Sequence, residues 1–280
     1  MNEKMLLNVN NVSVVIDKKE ILHNVNMNVK EHDFIFLTGN TGSGKSTFMN
    51  LIARYQPLEI PKYSLRGDIL YNGNNSHLNF SIFNAHDAQW YLREICYLKQ
   101  EVKTSGTILQ LFQRALNTIN VSVNKLDVWE LFESCNVFSS YKNEVSRKSF
   151  SRLFEKDFLD RKFESLSGGQ KRVIEILIAL MRSRHENIKI LLIDEPFNHL
   201  DVKNIKLAVN LLLKLRQENK KLAIVVSTHC MAFPSPCISS SCTNGIEAEH
   251  FQHYIAVDNS IRIANENEEY RQGSCFLDSL

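Results

Sequence analysis

The chain lacks any long apolar segment. Its longest apolar stretches, Ile190–Ile193 and Val173–Met181, are short, and the second is interrupted by Glu175. A helix that spans a membrane needs about 20 predominantly apolar residues. Residues 1–11 are polar and lack the apolar centre of a secretory signal. We therefore expect a protein that is soluble or that sits on a membrane only through a partner.

The chain also lacks closely paired cysteines. None of its 6 cysteines has a C-x-x-C spacing, and we expect reduced thiols in a long, non-secreted chain. Cys230, Cys237 and Cys242 lie near His229 in the sequence, which leaves a metal site as one interpretation. Zinc ligands usually have tighter paired spacings, so free thiols in a loop rich in serine and proline are the favoured interpretation.

A large excess of charge is missing as well. The formal net charge at pH 7 is +2. A basic surface is the usual electrostatic feature of a protein that binds nucleic acid. The composition therefore gives no strong sign of a nucleic-acid partner, whereas a hydrophobic content of 44% is ample for a buried core.

Strand and helix patterns alternate along the chain. The strand patterns are residues 6–16, 21–29, 33–37, 66–73, 188–193 and 222–227, with a closing hairpin at 254–257 and 261–263. The helical patterns are residues 45–54, 167–183 and 202–217, with two more between 107 and 132. Residues 74–89 are polar and predict a loop or a small insertion. Since continuous apolar strands are typical of parallel sheets covered on both faces, an α/β fold is favoured.

A glycine-rich loop follows the third predicted strand and opens a helix. Its sequence, Gly-Asn-Thr-Gly-Ser-Gly-Lys-Ser, matches the phosphate-loop pattern in full. Glycines let successive N–H groups point at phosphate oxygens, and the helix start adds the positive end of its dipole. Lys45 offers a charge to the β- and γ-phosphates, and Ser46 offers a hydroxyl to Mg²⁺. The candidate nucleotide-binding residues here are Gly39, Asn40, Thr41, Gly42, Ser43, Gly44, Lys45, Ser46 and Thr47.

Two adjacent carboxylates end a later apolar strand. Asp194 follows Ile190–Ile193, and Glu195 comes next. Asp194 is placed to hold Mg²⁺ through water, and Glu195 is placed to orient or deprotonate an attacking water. Such a pair alone is more often an ordinary loop pair, but the phosphate loop upstream favours the catalytic interpretation.

Four more short motifs accompany the phosphate loop and the carboxylates. They are Gln100, Leu166-Ser-Gly-Gly-Gln170, Asn198-His-Leu-Asp201 and Ser227-Thr-His229. With these motifs in this order, the chain resembles the nucleotide-binding subunit of an ATP-binding cassette (ABC) transporter. The Leu-Ser-Gly-Gly-Gln signature separates that family from other phosphate-loop NTPases, and the resemblance covers about residues 5–265.

The resemblance implies a fold. It is an α/β phosphate-loop NTPase with a RecA-like parallel core sheet, an antiparallel β lobe from the first strands and an α-helical lobe over about residues 103–184. We expect the cassette domain to cover residues 1–265, with a polar tail over residues 266–280.

The resemblance also implies an ATP site shared between two cassettes, in a homodimer or a heterodimer. ATP would lie between the phosphate loop of one cassette and the signature of the other. The signature residues Ser167, Gly168, Gly169 and Gln170 would bind the nucleotide, with Ser167 and Gly169 donating to the γ-phosphate. The start of the signature helix would add its dipole at the same anion.

Roles follow for the remaining motif residues. Gln100 would join Ser46 and Asp194 in holding Mg²⁺ and would sense the partner. Glu195 would be the base, with Lys45 and His229 completing the catalytic set. Asp201 would couple the two sites.

The adenine-binding position departs from the family pattern. The family usually stacks adenine on an aromatic residue at the position that falls on Ile16 here, and no Tyr, Phe or Trp precedes Asp33. An aliphatic side chain offers apolar contact without aromatic stacking geometry, so base selectivity and affinity are open questions.

Two further departures concern the signature helix and a spacing. Val173 and Ile178 stand where transport cassettes commonly carry arginines. Lys45 and Gln100 are farther apart than in a compact cassette, and a harmless surface insertion is favoured over a partner contact because loops tolerate insertions.

The leading functional hypothesis is a peripheral ATPase subunit on the cytoplasmic face of a membrane. It would power a separate transmembrane subunit, of an importer or a small exporter. The alternative is a soluble cassette ATPase acting on ribosomes or nucleic acid, to which Asn198–Asp201 also points. The single cassette and the near-neutral charge count against it. A regulatory cassette with little turnover is a third hypothesis, and intact Glu195 and His229 count against that one.

Overall fold

A computed structural model describes residues 4–55, 63–73, 80–83, 88–100, 104–134, 158–198, 200–229 and 251–264. The chain divides into two compact units. The first comprises Met1–Tyr97, Glu186–Glu195 and Asn219–Leu280, and the second comprises Leu98–His185 and Pro196–Glu218. Among the helices described, none is both long and apolar enough to cross a membrane.

An antiparallel sheet opens the first unit. Its strands are β1 (Met5–Ile16), β2 (Lys19–Lys30), β4 (Tyr63–Tyr71) and β5 (Phe80–Ser81), in the order β2-β1-β4-β5. On β2, Leu22, Val25, Met27 and Val29 are buried, and most residues between them are exposed. The sheet therefore packs one face on the core and leaves the other in water, as antiparallel sheets commonly do.

A second, mostly parallel sheet carries the loops that matter for function. Its strands are β3 (Phe34–Gly39), β6 (Ile95–Leu98), β7 (Ile190–Asp194), β8 (Ala223–Thr228), β9 (Phe251–Val257) and β10 (Ser260–Ile263), in the order β10-β9-β3-β8-β7-β6. Helix α1 (Lys45–Ile52) follows β3, and helix α2 (Ala88–Glu94) precedes β6. β3 pairs in parallel with β8, and β8 with β7. Because all three run the same way, the loops after Gly39, Asp194 and Thr228 leave from one edge.

Every residue of β3, β7 and β8 is buried. This agrees with the expectation from their continuous apolar runs, since parallel strands are covered on both faces. The core of the first unit joins these strands to the buried face of the antiparallel sheet and to α1, through residues such as Leu37, Phe48 and Leu192.

Four helices dominate the second unit: α3 (Ile108–Asn117), α4 (Lys125–Ser134), α5 (Gly168–Ser183) and α6 (Val202–Glu218). Short 3-10 turns at Phe158–Asp160 and Phe163–Ser165 lead into α5. Thr107 caps α3 by accepting a hydrogen bond from the Gln110 N–H, and the Gln110 side chain caps Thr107 in return. α3 and α4 pack through Phe112 and Phe132, whose ring centroids lie 6.0 Å apart in an edge-to-face arrangement.

The expected strands, the closing hairpin and the α/β fold are confirmed, but the polar stretch of residues 74–89 contains regular structure. The structure places β5 and the start of α2 within it, and residues 74–79 and 84–87 lie outside the described part of the chain. The sequence conceals α2 because it is short and its anchoring is tertiary: the fully buried Tyr91 donates its hydroxyl to the carbonyl of Ile52 at the end of α1.

Replacing Phe132 with alanine should destabilise the second unit. The ring is fully buried and contacts both Phe112 and Trp129. We expect Phe132→Ala to lower the free energy of unfolding by about 3–5 kcal/mol, measured by urea denaturation. Leu126→Ala on the same helix removes a side chain that is 64% exposed, so a change above about 0.5 kcal/mol would be unexpected. Equal effects of the two substitutions would contradict this packing.

Candidate functional site

The loop after β3 has a backbone that requires glycine at its two ends. Gly39 has φ +143°, and a Cβ there would lie 2.4 Å from the carbonyl oxygen of Ala256. Gly44 has φ +92°, and a Cβ there would lie 2.7 Å from Leu22. Gly44 is also the N-cap of α1. The glycines thus let the chain turn tightly from β3 into a helix whose first N–H groups face the loop.

Lys45 is buried at the start of α1. Its side chain is 5% exposed, and Nζ donates to the carbonyls of Gly39 at 2.7 Å and Asn40 at 3.0 Å. Nζ also lies 3.7 Å from Oε1 of Glu195. Burial lowers the pKa of Lys45, and the negative charges of Glu195 and Asp194 oppose that shift. The ammonium is therefore held inside the loop by carbonyls and carboxylates.

The loop is suited to bind an anion. The buried hydroxyl of Ser43 has no hydrogen-bond partner within the described residues, and a buried polar group normally has one. Within the described part of the chain, nothing lies within 4 Å of the Cβ position of Gly42. An orphaned hydroxyl, free N–H groups at a helix start and a buried lysine together fit a phosphate group.

The two carboxylates lie at the end of β7, beside the phosphate loop. Asp194 is 3% exposed and Glu195 is 7% exposed. Glu195 has φ +48°, a conformation that residues other than glycine adopt rarely and that clusters at functional sites. Its N–H donates to the Oγ of Ser227 at 3.0 Å, which helps to hold this backbone in place.

Ser227 joins the two carboxylates, and the sequence did not single it out as a site residue. Its Oγ donates to Oδ1 of Asp194 at 2.5 Å while accepting from the Glu195 N–H. Ser227 is fully buried and pairs with Asp194 in the register of β7 and β8. The available signal was its position two residues before His229, on the strand next to the one that carries the carboxylates.

His229 completes the cluster in the first unit. Its backbone N–H and its Nδ1 lie 3.2 Å and 3.0 Å from Oε2 of Glu195. Lys45 approaches the other oxygen, Oε1. The structure therefore brings Lys45, Asp194 and His229 together near the carboxylate of Glu195. That carboxylate is well placed to orient a water molecule or accept its proton.

The signature residues lie in the second unit, at the start of α5. Ser167 is the N-cap: its Oγ accepts from the Gln170 N–H at 3.3 Å, and its own N–H donates to Oε1 of Gln170. Because Oγ only accepts in this cap, the hydroxyl proton of Ser167 remains available to a ligand. Gly168 has open space at its Cβ position. This exposed helix start, like that of α1, offers N–H groups to an anion.

Gln100 and Asp201 also belong to the second unit. Gln100 is exposed, and Asp201 accepts the N–H of Asn204 at Oδ1, at 2.8 Å. Asp201 therefore caps the start of α6, a structural role that the motif alone did not reveal.

Two other features that the sequence singled out are Ile16 and a group of cysteines. Ile16 is half-buried, packs against the core of the first unit and ends β1 before a tight turn. Cys230, Cys237 and Cys242 lie outside the described residues. In the described part of the chain, no three His, Cys, Asp or Glu residues gather to hold a metal ion.

Comparison with known proteins relates the chain to ATP-binding proteins of ABC transporters. A family model described as ABC transporter matches residues 22–198. The zinc uptake system ATP-binding protein ZurA of Listeria monocytogenes is 28% identical, over 98% of this chain and 97% of ZurA. The phosphonates import ATP-binding protein PhnC of Lactobacillus acidophilus is 27% identical, over 82% of this chain and 81% of PhnC.

A solved structure shares the fold. It is a dimeric ATP-binding cassette in a post-hydrolysis state, bound to ADP and Pi. It matches with a TM-score of 0.62 at 22% identity and covers 93% of this chain and 98% of its own.

Removing the Ser227 hydroxyl should destabilise the cluster. Ser227→Ala removes a donor to the buried Asp194 carboxylate and the acceptor of the buried Glu195 N–H, and we expect the free energy of unfolding to fall by about 1–3 kcal/mol. Urea denaturation measures the change. Ser13→Ala is the matched control, because its hydroxyl accepts the N–H of Asn24 at an exposed site where water can replace it. Equal small changes in both variants would rule out the bridging role.

Proposed function

The chain belongs to the ABC transporter family and is an ATPase coupled to transport; we propose that it hydrolyses ATP in a site shared with a second cassette. Family membership confirms the resemblance that the signature motif predicts. We take residues 1–265 as one cassette, with a copy of this chain or a related chain as the second. The observation that carries the proposal is the Glu195 carboxylate, held between Lys45 and His229 beside an anion-binding loop.

ATP binds with its phosphates in the loop before α1. N–H groups at the start of α1, the Ser43 hydroxyl and Lys45 contact the phosphate oxygens. The hydroxyl of Ser46 and the carboxylate of Asp194 would hold Mg²⁺, which prefers oxygen ligands. Mg²⁺ held there would neutralise negative charge on the phosphates.

Glu195 acts as the base. Water attacks the γ-phosphorus in line, its proton passes to a carboxylate oxygen of Glu195, and the bond from γ-phosphorus to the bridging oxygen breaks to release ADP and phosphate. His229 keeps Oε2 in position and approaches the γ-phosphate. Lys45, which is near Oε1, stabilises negative charge on the transferred group.

The second cassette supplies the signature. The free hydroxyl proton of Ser167 and the N–H of Gly169 donate to the γ-phosphate held by the opposite loop. The start of α5 adds its positive dipole end at the same point. Asp201, at the start of α6, couples the two sites.

The work is done on a separate transmembrane subunit. The described helices include none that could cross a membrane, and the named relatives are ATP-binding proteins of zinc uptake and phosphonate import systems. We place the chain at the cytoplasmic face of a membrane, bound to such a subunit through its second unit and the Gln100 segment.

Glu195→Gln should abolish turnover while preserving ATP binding. The amide keeps the shape but cannot accept the proton, so we expect kcat to fall by about 100-fold or more. The uncleaved ATP should then accumulate in a stable dimer, detected by analytical ultracentrifugation with and without ATP. Glu130→Gln on the exposed surface of α4 is the control and should keep native turnover. Native turnover in Glu195→Gln would refute its role as base.

Purification from membranes tests the partner. The tagged chain is isolated from detergent-solubilised membranes of the source cells and read by mass spectrometry. We expect a stoichiometric multi-span membrane protein. Recovery of ribosomes or nucleic-acid-binding proteins in its place would contradict the transport role and favour the soluble alternative.

A further inference from the structure

A buried arginine lies in the second unit, close to the start of the signature helix. Arg172 is 5% exposed and follows the N-cap Ser167 by little more than one turn of α5. Its Nη1 donates to the carbonyl oxygen of Lys99 at 2.8 Å, and its Nε donates to that of Pro196 at 3.3 Å. Nη1 also pairs with Oε2 of Glu175 at 3.0 Å, one turn along the helix.

The two carbonyls that Arg172 contacts flank functional residues in the chain. Lys99 directly precedes Gln100, and Pro196 directly follows Glu195. One guanidinium therefore joins the signature helix to the main chain beside the glutamine loop and to the main chain beside the catalytic carboxylate. Because both acceptors are backbone atoms, the contacts fix the path of the chain and not merely a side chain.

Arginine is suited to this position, and lysine is not. A guanidinium is planar and offers several donors in fixed directions, so it can bind two carbonyls and a carboxylate at once. An ammonium is a compact point charge on a flexible stem. Position 172 thus requires the shape of the group as well as its charge.

Glu175 sets the orientation of the guanidinium. Its side chain is 13% exposed, burial raises its pKa, and the hydrogen bond and the charge of Arg172 oppose that shift. The pair satisfies Glu175 while turning the remaining donors of Arg172 towards Lys99 and Pro196. Val173 and Ile178 stand where related cassettes commonly carry arginines. The buried guanidinium in the first three turns of α5 is therefore that of Arg172.

We propose that Arg172 is a positioning residue that couples the signature helix to the Gln100 and Glu195 segments. The inference rests on the proposed shared site, in which the start of α5 contacts the ATP of the second cassette. When α5 contacts that ATP and moves, the guanidinium of Arg172 transmits the movement to the main chain at residues 99 and 196. The path of the main chain next to Gln100 and next to Glu195 then depends on whether the second cassette has engaged.

The test separates nucleotide binding from turnover in the full-length chain. Arg172→Gln and Arg172→Lys are compared with the native protein and with Arg184→Gln, which removes an ion pair to Glu218 at the other end of α5. ADP affinity, measured by calorimetry, reports the phosphate loop alone. kcat and KM for ATP report the assembled site.

We expect both Arg172 variants to bind ADP as the native chain does and to lose about 10- to 100-fold in kcat, because small displacements of catalytic groups carry costs of that size. In a third variant, Arg172→Ala, which leaves room for a small cation, added guanidinium ion should raise turnover, whereas it should leave that of Arg172→Lys unchanged. Arg184→Gln should keep native turnover.

Native kcat in Arg172→Lys would overturn the inference, as would a parallel loss of ADP affinity and kcat, which indicates a merely structural role. If Arg172→Gln fails to fold, Arg172→Lys decides by the same criteria. Absence of ATP turnover in the native chain and in Arg184→Gln would instead count against the proposed function itself.

Discussion

The candidate site depends on holding the carboxylate of Glu195 at a fixed point beside the phosphate loop. Its backbone has the positive φ that non-glycine residues rarely adopt. The hydroxyl of Ser227 accepts its N–H, and Lys45 and His229 approach its two side-chain oxygens. The contacting residues lie on or follow the three neighbouring strands β3, β8 and β7, so the sheet fixes them together. In phosphoryl transfer to water the reacting groups are the water molecule and the phosphate. The protein contributes mainly by positioning them and stabilising their charge, which requires side chains held in fixed places.

Burial gives the charges in this cluster their strength. Lys45, Asp194 and Glu195 are each less than 10% exposed, and Coulomb interactions are stronger where water is excluded. A buried cation is costly unless it is paired, and Lys45 is paired with carbonyls and a carboxylate. An incoming triphosphate would bring more negative charge than this one ammonium can offset. The N–H groups of the loop and the Ser43 hydroxyl are therefore needed as further donors.

The sequence revealed the elements whose signal is local. The phosphate loop, Asp194 and Glu195 occur within short patterns that a strand and a helix must flank, and the continuous apolar runs of β3, β7 and β8 predicted parallel strands. The roles of Ser227 and Arg172 could not be predicted, because they arise from strand register and packing. Ser227 lies opposite Asp194 on the next strand. Arg172 contacts two carbonyls that are distant from it in the sequence. α2 was missed for the same reason, since Tyr91 is anchored by α1 and not by its own neighbours.

The shared ATP site that we propose requires two chains, and complementation between variants tests this most directly. Lys45→Ala disables the phosphate loop, and Ser167→Arg disables the signature, so each purified variant alone should not hydrolyse ATP. A mixed dimer holds one site in which the intact loop of one chain meets the intact signature of the other. We predict that mixing the two inactive variants restores partial phosphate release, in proportion to the mixed dimers formed. A mixture as inactive as its components, under conditions where the native chain hydrolyses ATP, would contradict the shared site.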